Sequence, residues 1–179
     1  VEKFPENQAF YTSLVPYEGL MQGDCWKQIS FIDENGKFIT CKAVVLSNTC
    51  DLSLENIRSV PKRIVFSPLI SLNNYREILL RNGASESKIA QQFETIRSQK
   101  ISNIVYFPGI DGHSESCIAL LDNIYSLPRN KVSVSRIPDL VFRLNMYGFY
   151  LFVIKLSIHF TRFQEGLDEG NPRVEVVQT

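Results

Sequence analysis

Residues 27–47 read KQISFIDENGKFITCKAVVLS, and the fold turns on this stretch. Lys27 to Ile32 reads as a strand. Asp33-Glu34-Asn35-Gly36-Lys37 follows, and Asn-Gly is a strong signal for a tight hairpin turn because both positions tolerate positive φ. Phe38 to Ser47 returns as a second strand, with Ala43-Val44-Val45-Leu46 as its buried part. A loop from Asn48 to Pro61 separates this hairpin from a third strand, Arg63 to Leu69, rich in Ile, Val and Phe.

Downstream the period changes. Asn73 to Arg81 reads as a short helix stopped at Asn82-Gly83, and a second helix starts at Ser85 or Ser87 and runs to about Gln99. It places Ile89, Phe93 and Ile96 on one face. Strands resume at Asn103–Phe107, Ser116–Ile124 and Val132–Arg136. Pro138 suits the first turn of a long helix to about Glu165, with Phe149, Phe152, Leu156, Phe160 and Phe163 at helical spacing. Residues 166–179 form a loose tail. The expected fold is α+β in one domain, 1–179. A small, strongly bent antiparallel barrel (strands about 25–70 and 102–136) carries a two-helix insert (about 73–100) and a long C-terminal helix (about 138–165).

Composition fits an ordinary globular chain of 179 residues, with 44% apolar and 21% charged residues, and excludes disorder or low complexity for the whole. The longest apolar stretch, Met146 to Ile154, is far short of the ~20 residues of a membrane span. Residues 1–25 are too charged for a signal peptide. A cytoplasmic location with reduced thiols is expected, and no membrane partner. The four cysteines (Cys25, Cys41, Cys50, Cys117) contain no C-x-x-C pair, and His113 and His159 are far apart, so no metal site and no cofactor is expected. The formal charge is zero, yet Arg58 to Arg162 holds 14 basic and 7 acidic residues. A basic middle can meet a polyanion or pack against the acidic ends.

Several groups could carry chemistry. In Ser47-Asn48-Thr49-Cys50-Asp51, Cys50 and Asp51 offer a thiol or metal site. The same residues also suit a plain turn with Cys50 in the core, and an adjacent carboxylate disfavours a thiolate. Lys155, His159 and Arg162 share a helix face, either a phosphate-binding stripe or a solvated side opposite the phenylalanines. Arg58, Lys62 and Arg63 could grip a nucleic-acid backbone or form a solvated loop. Asp111 and His113 suit a hairpin tip. Trp26, Tyr11 and Tyr17 suit a cover over one end of the sheet.

Three segments carry a resemblance. Gly23-Asp24-Cys25-Trp26, Ala43-Val44-Val45-Leu46-Ser47-Asn48 and Ile64-Val65-Phe66-Ser67-Pro68-Leu69-Ile70-Ser71 resemble the layout of MazF/PemK-like toxins, over about residues 22–72. Ser47, Thr49, Cys50 and Asp51 also match a Ser-x-Thr-Cys-Asp motif of uncharacterised bacterial proteins. The resemblance implies an SH3-like barrel, a homodimer and a toxin–antitoxin or defence setting. Toxin ribonucleases of that family use an Arg before the Ala-Val-Val strand and a Thr after the third strand. Here Cys41-Lys42 and Ile70 or Ser71 stand there, and Lys42 cannot reproduce an arginine fork. The expectation is therefore a non-catalytic binding or regulatory module with a protein or nucleic-acid partner. The alternatives are a divergent ribonuclease using Lys42, Ser71, Asp51 or the Lys155/His159/Arg162 stripe, and a thiol or metal site at Cys50–Asp51.

Overall fold

The computed structural model describes residues 10–12, 19–52, 62–110, 115–129 and 139–161. Strands β1 (Cys25–Ile32) and β2 (Phe38–Val45) form the hairpin. Its register runs from Ile32 opposite Phe38 to Cys25 opposite Val44, with a shift between Trp26 and Ile29. The turn forms as its residues dictate. Asp33 Oδ1 accepts from the Asn35 and Lys37 amides, and Gly36 sits at φ +76°. A short helix, α1 (Thr49–Leu52), follows.

Strand β3 (Arg63–Ser71) is the spine of the sheet. One edge pairs with β2, with Phe66 opposite Val45. The other edge is shared. Its first half pairs with β6 (Tyr125–Pro128), and its last residues pair with β5 (Cys117–Leu120), which pairs with β4 (Ile104–Phe107). At the far side β7 (Leu140–Phe142) joins β1, giving the order β4-β5-β3-β2-β1-β7 with β6 on β3. Among the described residues the result is a curled antiparallel half-barrel with four helices, mixed α/β in class.

Ala43, Val44 and Val45 are all fully buried because β2 is covered on both faces. Val44 joins Cys25, Phe107, Phe142 and Phe152 in one core. Ala43 and Val45 join Trp26, Ile29, Phe31, Ile64 and Phe66 in another. The insert, α2 (Leu72–Arg81) and α3 (Glu86–Arg97), closes a third core of Leu72, Ile96, Ile104 and Ile118. Ser71 caps α2 by accepting from the Asn74 amide at 3.1 Å.

The end of the chain differs from the sequence expectation. Residues 140–142 are strand, and helix α4 (Met146–Phe160) begins eight residues after Pro138. Asn145 sets that start, because its side chain accepts from the Gly148 amide at 2.9 Å. Gly148 lets α4 lie against Phe10, since a Cβ there would meet the Phe10 carbonyl oxygen at 2.5 Å. The expected strand Val132–Arg136, Asp111, His113, Tyr17 and the tail fall outside the described residues.

A buried ion pair joins the two ends of this architecture. Arg143, just after β7, donates from Nε and Nη2 to the two oxygens of Asp24 at 2.8 and 2.7 Å. Nη2 also donates to the Gly19 carbonyl, and Asp24 accepts from the Met21 amide. Burial pushes the Asp24 carboxyl above its ordinary value, while the Arg143 hydrogen bonds and charge pull it down. Gly23 sits at φ +85°, a conformation that strains any residue with a side chain, and a Cβ there would also push on the Leu144 methyl at 2.7 Å.

Breaking one side of such a pair strands a buried charge. Arg143→Met is expected to cost about 3–5 kcal/mol of unfolding free energy in urea. Adding Asp24→Leu to that variant is expected to restore a large part of the loss. Additive losses would show that the two groups do not act as a pair.

Candidate functional site

The sheet curl brings side chains from separate strands to one groove of about 180 Å³. Lys42 comes from β2, Ser71 from the end of β3, Asn74 from the first turn of α2, Cys117 from the start of β5 and Glu115 from just before it. Cys25, Leu69, Val141 and Phe142 make the apolar side. Ser71 and Cys117 face each other in the β3–β5 register, which sets two of these groups side by side. Lys42 and Glu115 are exposed, so the groove presents one cation and one carboxylate at its mouth.

The thiols of the groove are not poised to react. Burial pushes Cys117 up to about 12, against the lowering effect of Lys42, and Glu115 adds to the rise. Burial likewise holds Cys25 well above its ordinary value. At neutral pH both are neutral S–H groups. Tyr11, pushed up by burial, donates its hydroxyl to the Pro108 carbonyl, which fixes the lead-in beside this end of the sheet. Trp26 lies in the second core.

Two of the expected site residues, Lys42 and Ser71, thus share one groove. The others are placed elsewhere. Ser47, Asn48 and Thr49 bond neighbouring backbone: Ser47 Oγ accepts from the Val65 amide, Asn48 Oδ1 from Cys50, and Thr49 Oγ1 from Gln22. Cys50 is exposed rather than turned into the core, and Leu52 fills the inward position. Asp51 is half-buried in the same short helix and does not line the groove. Arg63 donates from Nε and Nη2 to Ser126 at 2.8 Å, and Lys62 precedes it at the start of β3. Arg58 and Arg162 fall outside the described residues.

The stripe on α4 is inverted relative to its sequence reading. Lys155 is buried, and its ammonium donates to the Gln99 carbonyl at 2.9 Å and to the Ile101 carbonyl. It closes the turn after α3, where Gln99 holds φ +57°. Burial lowers the Lys155 pKa to about 8. His159 faces Asp122 at 3.6 Å and meets the Phe160 ring edge-on. The sequence reading missed Asn74, Glu115, Cys117 and Cys25 as groove residues. Only the strand pairing, not any local motif, could have linked them.

Among the described residues no three His, Cys, Asp or Glu side chains cluster as metal ligands. Among them no helix is long and apolar enough to cross a membrane. No protein-family model matches the chain, and no curated protein is significantly similar to it.

Two outcomes follow. In native protein at pH 8, one thiol, Cys50, should react rapidly with Ellman's reagent, and Cys50→Ser should abolish that phase. Rapid labelling of buried Cys25 or half-buried Cys117 would contradict the raised pKa that desolvation gives both thiols. For Lys155, the folded state sheds its proton near pH 8 and the unfolded chain near the ordinary 10.5. The cost of burying the charge is fully present below pH 8 and fades as pH rises toward 10.5. Wild type should therefore gain stability over Lys155→Met as pH is raised across this window, by up to about 1.4 kcal/mol per unit. A flat difference would show that the amine does not titrate there.

Proposed function

We propose that the chain is a non-catalytic binding module, built on an SH3-like barrel, that holds a segment of single-stranded RNA in the groove. The observation that carries this reading is the convergence of Lys42 and Ser71, from two strands, with Asn74 and Glu115. The set offers a cation for a phosphate oxygen, an amide and a hydroxyl for polar edges, and a carboxylate acceptor for a hydroxyl or amino donor. A ribonucleotide carries all of these complements. The groove volume suits part of one nucleotide rather than a whole drug-sized ligand, for which pockets run to about 300–1,000 Å³. The excess of basic residues between Arg58 and Arg162 supports a polyanionic partner. The setting proposed with it is the cytoplasm of a bacterial or phage-associated system, beside a toxin–antitoxin or defence function.

A divergent ribonuclease is the second reading. Lys42 and Ser71 occupy the positions that the toxin resemblance singles out, and Glu115 beside them could serve as a general base. Against it, Lys42 is a point charge without the fork of an arginine, and the thiols at the groove are protonated.

One experiment separates the readings. End-labelled single-stranded RNA is incubated with wild type, Lys42→Ala and Glu115→Gln, and both mobility and length are read. The binding reading expects a retarded, intact strand, with affinity falling about tenfold or more in Lys42→Ala, the scale of one charge-assisted hydrogen bond. Cleavage that disappears in Lys42→Ala or Glu115→Gln would establish the ribonuclease instead. No retardation and no cleavage would overturn both.

A further inference from the structure

The face of the sheet that holds the first core runs on past the groove into solvent. Side chains alternate between faces along a strand. Val44 of β2 points into the first core with Cys25, so Lys42, Thr40 and Phe38 follow on that same face. The hairpin register sets Ser30 opposite Thr40 and Ile32 opposite Phe38, which adds two residues of β1 to it. The other face, with Ile29, Phe31, Ile39 and Cys41, packs in the second core. Ser30, Ile32, Phe38, Thr40 and Lys42 are all exposed, Ile32 to 65% and Phe38 to 69%. The hairpin thus carries an open track from the groove to its tip: a cation, a hydroxyl pair, then an aromatic ring beside an isoleucine.

Resting on the reading of the groove as a single-stranded RNA site, we propose that this track carries the strand out of the groove and that Phe38 is the platform on which one of its bases stacks. Lys42 belongs to both the groove and the track, so a phosphate held there puts the neighbouring nucleotides over the hairpin. The Ser30 and Thr40 hydroxyls bond each other at 2.8 Å. That bond uses one O–H and leaves the other, with free lone pairs, for a phosphate or a 2′-hydroxyl. Phe38 lies about 13 Å from Lys42 along β2. Among the described residues no other ring contacts Phe38, and its pairing with Ile32 leaves most of the ring to water. Charge agrees with a polyanion. Among the described residues the track holds one cation and no carboxylate. Asp33 accepts from its own turn amides. Asp33 and Glu34 lie toward Tyr125 on the other face, where burial and then their charges raise the phenol. A peptide strand adds to the edge of a sheet, whereas a single nucleic-acid strand lies across a sheet face on aromatic side chains. The exposed groups here are on the face.

The test is binding of a 5′-fluorescein oligouridylate, about 12 nucleotides long and within the span that one sheet-based module covers. It is titrated with wild type, Phe38→Leu, Phe38→Trp and Lys42→Ala at several salt concentrations. Phe38→Leu keeps an apolar side chain and removes the ring. Its affinity should fall about fivefold or more with the salt dependence unchanged. Lys42→Ala should instead lower the salt slope by about one. Phe38→Trp should bind at least as tightly as wild type, and its added indole emission should be quenched as unlabelled strand saturates the protein. That quench decides the matter even if Phe38→Leu folds poorly, because a purely structural role for Phe38 would not produce it. Lys42-dependent binding by wild type, with Phe38→Leu equal to it and Phe38→Trp unquenched, would overturn the track and leave the groove reading standing. No binding by wild type would overturn both.

Discussion

The Asp24–Arg143 pair is the constraint on which the rest of the structure depends. It joins residues 119 positions apart and is almost wholly buried. From it the neighbouring features follow. Gly23 is glycine because the turn before β1 holds it at positive φ, β7 must lie along the start of β1, and Asn145 can then cap α4 directly over the first core. The pair works by fixing geometry rather than by a large net electrostatic gain. Burial raises the carboxyl, and the guanidinium and the amide of Met21 offset that cost.

Where local chemistry decides, the sequence was legible. Asn35-Gly36 marks the hairpin, the unbroken Ala43–Leu46 run marks a strand buried on both faces, and Asn82-Gly83 marks the stop between the two insert helices. Where distant partners decide, it was not. Leu140–Phe142 is too short to show a period, and Pro138 just before it imitates a helix start. Arg143 looks like any surface arginine until Asp24 is beside it. Lys155 looks solvated until the left-handed Gln99 leaves two carbonyls that its ammonium can reach. The polar stripe on α4 was visible, but which side of the helix faced the core was not, because both sides are apolar.

The groove is a product of pairing in the same sense. Lys42 and Ser71 were suggested by resemblance on separate strands. Their convergence needs the bend of β3, which gives one edge to β2 and the other to both β6 and β5. Glu115 and Cys117 arrive only through the β3–β5 register. That register carries no signature in the residues themselves, since Cys117 reads as a small apolar strand residue.

The placement of α4 bears on how the chain is made. Among the described residues every strand precedes this helix in the sequence, and Phe152 and Leu156 cover the face that holds Val44, Val105 and Phe107. During synthesis the hairpin can close early, since its contacts are local. That face stays bare until the ribosome has released α4, and the ion pair that seats the helix forms as late. The nascent half-barrel thus passes through an interval with an open apolar wall and unpaired strand edges. It is in that interval, rather than in the finished fold, that the chain most needs a chaperone.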